Sequence, residues 1–282
     1  MHRIKPTTLP PVAGMAVPAF IRNGDYYFTE VDVFADGLFE CWGAVDVDFL
    51  ARKFAERWIS PGVPVGCRMS VHDLMSGKVT SSDWIHTAES FHERLQGYLE
   101  SLNPKHENLH DFGGEDVEVR DGVRWSKIGF MDGSPVQYSK SNNSPQGESR
   151  YAIIRQEGQF FLSTIRIYAD GQIDVHPRFD EQRLVRIDEF KEMLDRQEIC
   201  VSVPDGTSIE IDSLGQVTVT DVVSWLDKPA ELLLEVQETV KKLNGEKDAI
   251  EKCREAFQVY LEKPTLKTKD LLRAAYEAVP EL

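Results

Sequence analysis

The sequence has no CxxC pair: its four cysteines, Cys41, Cys67, Cys200 and Cys253, stand far apart along 282 residues. That scarcity argues against a zinc ribbon or a dense disulfide framework and makes a reducing, cytoplasmic setting the expectation. Long apolar runs are missing too. None approaches the roughly 20 residues that span a bilayer, so no membrane role is expected, and Pro6, Pro10, Pro11 and Pro18 interrupt any apolar stretch a signal peptide would need. Without a P-loop, a GxGxxG after a strand or a GxSxG elbow, nucleotide-binding and serine-hydrolase chemistry have no support. Basic residues are outnumbered, 32 against 47 acids, so nucleic acid is an unlikely partner and a basic protein a better one. The imbalance is local: residues 228–282 hold 11 acids and 10 bases, which leaves a net charge of −14 on residues 1–227.

What the chain does have is repetition. "GDYYFTEVDVFADGLFEC" from Gly24 lies without a gap over "GQFFLSTIRIYADGQIDV" from Gly158, apolar position on apolar position. Alternation at period two and the Asp-Gly pairs at 36–37 and 170–171 predict hairpins closed by two-residue turns. After a six-residue insertion the match continues. Val45–Ile59 answers Val185–Ile199 at helical spacing, with Asp48 and Asp188 as caps or first-turn acids; "VPVG" (63–66) answers "VPDG" (203–206), and a final hairpin follows with one gap. The expected fold is therefore α+β, with two homologous modules of antiparallel sheet and helix and a helical C-terminal tail. The boundaries are 1–80 for the first module, 81–149 for a connector of helix, hairpin and polar loop, 150–227 for the second module and 228–282 for the tail. In the connector, Trp84, Ala88, Phe91, Leu95, Tyr98 and Leu102 predict a helical stripe ended by Asn103-Pro104, and "VEVRDGVRWSKIGF" predicts a hairpin. In the tail, Leu233, Val236, Val240 and Leu243 predict a first helix docked on its own domain.

The sharpest chemical signal is "HENLH". His106 and His110 stand four apart with Glu107 between them, the spacing at which two imidazoles on one helix face bind zinc beside a glutamate base. Asp116 falls where a third ligand of the extended metzincin form belongs. Against that, Asn103-Pro104 lies just upstream and leaves room for only a short helix, so the segment reads first as a solvated connector. Cys67 with His72 lacks an orienting third group for nucleophilic catalysis, and His86 and His92, six apart, sit on different helix faces. Glu40, Asp46 and Asp48 read as strand-surface acids and caps. Glu30 and Asp32, replaced by Thr164 and Arg166 in the second copy, are read as outward-facing acids that mark a partner surface.

The stretches "YYFTEVDVFADGLFECWG" and "VPVGCRMSVHDL" resemble small uncharacterised bacterial proteins of unknown function, over each repeat but not over the middle segment or the tail. The resemblance implies a bacterial source. Together these features lead to an expected non-enzymatic, cofactor-free, acidic protein-interaction protein, one that neutralises a basic toxin or acts in a defence system. The alternative is a zinc-dependent hydrolase built on His106, Glu107, His110 and Asp116. Composition leaves the oligomeric state open.

Overall fold

The computed structural model describes residues 12–111, 117–120, 123–126, 138–140, 147–178, 181–226, 228–247 and 249–279. The first repeat runs β1 (Val12–Asn23), β2 (Asp25–Phe34), β3 (Phe39–Glu40), β4 (Ala44–Val45), α1 (Val47–Ala55), β5 (Ile59–Ser60), β6 (Arg68–Val71), β7 (Met75–Trp84) and α2 (Ala88–Leu102). Three short strands follow: β8 (Val117–Arg120), β9 (Val123–Ser126) and β10 (Tyr138–Lys140). The second repeat is β11 (Gly147–Gln156), β12 (Gln159–Tyr168), β13 (Gln172–Arg178), β14 (Glu181–Arg186), α3 (Ile187–Asp195), β15 (Ile199–Cys200), β16 (Thr207–Ile211), β17 (Gly215–Ser224) and α4 (Pro229–Leu243). Helices α5 (Ala249–Glu262) and α6 (Leu266–Glu277) close the chain.

The fold is α+β and internally duplicated. In each copy the long hairpin, β1–β2 or β11–β12, carries a short strand on its outer edge and a parallel strand on its inner edge, and the registers correspond. Tyr26 faces Met69 and Phe28 faces Val71 in the first copy; Phe160 faces Ile209 and Leu162 faces Ile211 in the second. From α1 onward the copies superimpose with a constant offset and no gap. Met69 answers Ile209, and the left-handed residues Asp73 and Ser213 close equivalent turns (Leu74 N to Val71 O, Leu214 N to Ile211 O). The six-residue insertion lengthens the β13–β14 ribbon, where the first copy has the tight turn Cys41-Trp42-Gly43 between β3 and β4. The Asp-Gly turns differ from the two-residue expectation: only Gly37 and Gly171 are left-handed, both at φ 78°. Phe34 pairs with Leu38 across a three-residue connection, a type I turn followed by a glycine.

The copies are joined by one antiparallel seam. β7 pairs with β17, Trp84 facing Gly215 and Met75 facing Ser224, with Val79 opposite Val219 at the centre. Exchanging the repeats carries Met75 onto Gly215 and Trp84 onto Ser224 and leaves this pairing unchanged, the isologous arrangement of a twofold dimer written into one chain. The symmetry extends past the strand ends: Ile85 N donates to Leu214 O and Trp225 N donates to Leu74 O. The resulting 15-stranded sheet curls so that β11 meets β2, where the rings of Phe28 and Tyr151 lie 5.1 Å apart. One core therefore spans both repeats, with Phe20, Val31, Met69 and Phe91 sharing a cluster with Ile153, Leu162, Ile209 and Val217. A second cluster packs α3 and α4 against the outer part of the second repeat.

Helix α2 belongs to the repeat. Its expected start at Trp84 is displaced, because β7 continues through Trp84 to complete the seam and the indole Nε1 is held by Val63 O at 2.9 Å. The helix begins after the capping box of Thr87 and Ser90 and buries Phe91, Leu95 and Leu99. Its counterpart is α4, also 15 residues long, which buries Leu232 and Val236 and has Leu233 and Val240 partly buried. Both end in an asparagine that grips the hairpin turn of its own copy. Asn103 Nδ2 donates to Ala35 O at 2.8 Å, and Asn244 Nδ2 donates to Ala169 O at 2.6 Å. Asn103→Ala and Asn244→Ala are each expected to lower stability by about 1 kcal/mol, because the hairpin-turn carbonyl in each copy loses its side-chain donor. Urea unfolding midpoints check this, and equal losses in the two variants would confirm the equivalence.

The hairpin expected around Asp121-Gly122 is present as β8 and β9, while Asp121 and Gly122 themselves lie outside the described residues. The polar run 139–149 is bracketed by strand at both ends: Val12–Gly14 of β1 pair in parallel with Tyr138–Lys140, and β11 begins at Gly147. Residues 141–146 are outside the described set.

Candidate functional site

The HENLH segment does not form a helix. His106 and Asn108 are left-handed, at φ 52° and 54°, and two such residues in five destroy the helical i, i+4 geometry on which an HExxH zinc site is built. Asn103 organises the turn instead, its side chain bonding Glu107 O at 2.9 Å and Glu107 N at 3.2 Å. His110 then lies along the first hairpin turn, with its N–H on Asp36 O at 2.8 Å and Nε2 3.2 Å from Asp36 Oδ2, while Leu109 packs over Gly37. Asp116 lies outside the described residues. Among the described residues no three His, Cys, Asp or Glu side chains converge as a metal site would require. The double variant His106→Ala/His110→Ala is accordingly expected to leave zinc content unchanged by elemental analysis and to lower stability by about 1 kcal/mol through the lost His110 contacts. One zinc per chain, lost in that variant, would instead establish the metal site.

The other sequence candidates are dispersed. Cys67 is half-buried against the core, whereas His72 projects from the β6–β7 turn and its Nε2 meets Asp73 Oδ2 at 3.3 Å. His86 precedes α2 and lies 2.7 Å from Arg94 Nη1; partial burial, and then that guanidinium, hold its imidazole below the ordinary range. His92 lies tilted against Phe54, with ring centroids 5.1 Å apart. Asp46 caps α1, its Oδ1 accepting from Phe49 N at 2.8 Å, and Asp48 and Asp188 are first-turn acids. Cys41 is enclosed, and burial pushes its thiol up to about 12, which leaves it protonated at neutral pH.

Glu30 and Asp32 do not form an outward acidic face. Asp32 is only 6% exposed, and Glu30 is half-buried. Strand β2 lies inside the curled sheet, so the alternation of exposed and buried positions collapses into continuous burial from Val31 to Phe34. Both carboxylates instead act on Tyr151, whose phenol is held well above its ordinary range, first by burial and then by the charges of Glu30 and Asp32.

Two surface features remain. The first is a cleft of about 640 Å³ where the repeats meet, walled by Tyr27, Phe28 and Trp42 of the first copy and Tyr151 and Trp225 of the second, with Thr29, Ser70, His72 and Asp73 between them. The Tyr27 and Trp42 rings are 5.4 Å apart. Beside it a guanidinium braces the junction: Arg150 donates to Asp73 O at 3.2 Å and pairs with Glu235 at 2.5 Å. The pseudo-symmetric carbonyl, Ser213 O, also receives a guanidinium, but from Arg94 on α2 at 3.1 Å, itself held by Tyr98 Oη at 2.8 and 3.0 Å. Position 94 is an arginine and its α4 counterpart is Glu235, while Arg150 stands where the first copy has Ala16. The copies therefore supply the same clamp from different elements.

The second feature is the hairpin of α5 and α6. Neither helix has a buried residue, and they pack mainly on each other. Leu266 is 81% and Tyr276 72% exposed; Phe257, Leu261 and Leu271 are exposed as well. A groove of about 630 Å³ between the helices has Ile250, Phe257, Leu272 and Tyr276 on its floor and the cations Arg254, Lys269 and Arg273 on its walls. The sequence predicts a first tail helix docked on its own domain, and α4 is docked in that way, whereas α5 and α6 bury no residue. Neither Trp42 nor Trp225 was singled out. The available signal was that each is a large aromatic beside a turn.

Among the described residues no helix is long and apolar enough to cross a membrane. No curated protein and no solved structure matches the chain. A second domain of unknown function, DUF7639, matches residues 248–282, the separate α5–α6 hairpin and the last residues of the chain. The domain of unknown function DUF7638 matches residues 9–106 and 138–247, two stretches that coincide with the two repeats, each including its helix, and the chain belongs to that family.

Proposed function

We propose that this is a non-enzymatic protein-interaction protein in which the duplicated, acidic body is a platform and the α5–α6 hairpin is the docking element. The observation that carries the reading is the hairpin itself: two amphipathic helices with no buried side chain and a continuous apolar groove. Two helices of 14 and 12 residues cannot bury enough apolar surface to be stable alone, and apolar faces of this kind on soluble proteins mark interaction sites. The occupant that fits is a partner's amphipathic helix with acidic residues flanking its apolar face, because the groove walls carry three cations and no acid. The charge of −14 on residues 1–227 favours a basic surface elsewhere on that partner and steers its approach. A basic toxin or a defence-system component is the form of partner this charge suggests.

The test is affinity capture with the intact chain and with Leu272→Glu/Tyr276→Glu, followed by association kinetics against the captured protein. The reading requires that the double variant lose the partner while its thermal unfolding stays within a few degrees of the parent. It also requires association to slow with salt, since exposed charges are screened beyond about 8 Å at physiological ionic strength. It fails if both forms capture the same proteins, or if the variant does nothing but dissociate a homodimer.

A further inference from the structure

The cleft between the repeats has a composition that the fold does not require. Exchanging the copies carries Tyr151 onto Val17 and Trp225 onto Ile85, and it carries Tyr27 and Phe28 onto Phe161 and Leu162. The pseudo-symmetric position therefore supports the same seam and the same guanidinium clamp without an aromatic enclosure.

Trp42 adds a second, independent sign. It sits at φ 61° in the tight turn between β3 and β4, and the residue is 53% exposed. A bulky side chain in the left-handed region costs about 1–2 kcal/mol, and glycine would take the same conformation freely. Little of that cost returns through burial, because more than half of the side chain faces water. What the conformation achieves is placement: the indole stands against Tyr27 at the cleft wall. Trp225, 60% exposed, stands on the same cleft from the other repeat, at the end of the seam. Strain held at an exposed aromatic is the pattern of a ligand-contacting residue.

Among the described residues no lysine or arginine lines the cleft, which holds the carboxylate of Asp73 beside the imidazole of its neighbour His72. Glu30 and Asp32 place negative charge on Tyr151, and Asp73 is one of the lining residues. Beside the cleft, Arg150 lies on Glu235 and Asp73 O. Aromatic faces carry the negative part of the ring quadrupole, so a cleft lined by five aromatic residues beside carboxylates attracts a cation that can shed its water. A metal ion is poorly served, since among the described residues no three ligating side chains converge here. An anion would meet repulsion.

We propose that this cleft is a binding site for an organic cation of the alkylammonium or guanidinium class, with Trp42 and Tyr27 of one repeat and Tyr151 and Trp225 of the other as its aromatic lining. Such a group comes either from a free small molecule or from a lysine or arginine side chain of a bound protein. The site stands independently of the docking role of α5–α6.

The experiment titrates the intact chain with tetramethylammonium, choline and guanidinium and follows tryptophan fluorescence. The probe for charge is 3,3-dimethylbutan-1-ol, the uncharged isostere of choline. A saturable change with a cation, at least about tenfold tighter than with the isostere, is the expected result. Trp225→Ala is expected to weaken binding about tenfold or more. Trp42→Gly should do the same while unfolding at the same temperature as the parent or higher, because it relieves the left-handed strain as it removes the wall. That combination separates a ligand-binding role from a structural one. A lysine-containing peptide that binds at least tenfold more tightly than tetramethylammonium, and loses this advantage on acetylation, identifies a protein side chain as the source. Equal affinities identify a free cation. The proposal is overturned if the isostere binds as well as choline, if no cation gives a saturable signal, or if Trp42→Gly and Trp225→Ala both bind like the parent.

Discussion

Gly215→Ala is expected to destabilise the protein by about 3–5 kcal/mol, placing it among the large single-residue effects that have an identifiable cause. Gly215 starts β17 at φ +126°, a region that L side chains rarely adopt. A Cβ there would stand 2.2 Å from Asp83 O and 3.1 Å from the Trp84 Cα, both backbone atoms of β7. Backbone strain alone accounts for about 1–3 kcal/mol. The remainder follows because relieving the clash moves β7 away from β17, and that opens the strand seam between the repeats. Gly206→Ala is the matched control. Gly206 is left-handed at φ +80° with no atom within 4 Å of the added methyl, so it should cost only the conformational term of about 1–2 kcal/mol. Urea denaturation of both variants is the measurement. Equal losses would show that the seam yields to the methyl group and does not hold the repeats in register.

Phe91→Ala is expected to cost about 3–5 kcal/mol, the usual range for a fully buried phenylalanine. The ring is completely enclosed, in edge contact with Phe54 at 6.0 Å and tilted against His86 at 5.7 Å. A helix that merely linked two domains would tolerate the change within about 0.5 kcal/mol, as surface positions do. The counterpart substitution, Leu232→Ala in α4, removes a 1% exposed leucine and should cost about 2–5 kcal/mol. Losses of this size in both helices would show that α2 and α4 are the same element of the two copies. A loss below 1 kcal/mol for Phe91→Ala would return α2 to the role of a connector.

The duplication was legible because its signals are local. Alternating apolar residues, a glycine that must be left-handed in each hairpin turn and the VPxG loop all act within a few residues of chain. Helix α2 escaped that comparison with α4 because the match is one of burial and not of residue type: Phe91 against Leu232, Leu95 against Val236, with the terminal asparagines as the shared polar feature. HENLH misleads for a related reason. Spacing tests whether two histidines would share a helix face, but the helix ends at Asn103, and His110 is bound instead to Asp36 in the first hairpin turn, 74 residues upstream.

What the sequence by itself determined was the repeat, its strands and helices, its turns and the uneven charge, because each depends on side chains close together in the chain. Only the tertiary structure decided which faces those elements turn to water. Asp32 has the alternation of an exposed strand residue and is buried because the curled sheet brings the second repeat over β2. Trp42 and Trp225 line one cleft although 183 positions separate them, because the pseudo-twofold seam between β7 and β17 brings the end of one repeat to the turn of the other. The α5–α6 hairpin is amphipathic like α4, yet among the described residues no surface of the chain buries its apolar side chains. Burial is a property of the whole packing, and local pattern cannot supply it.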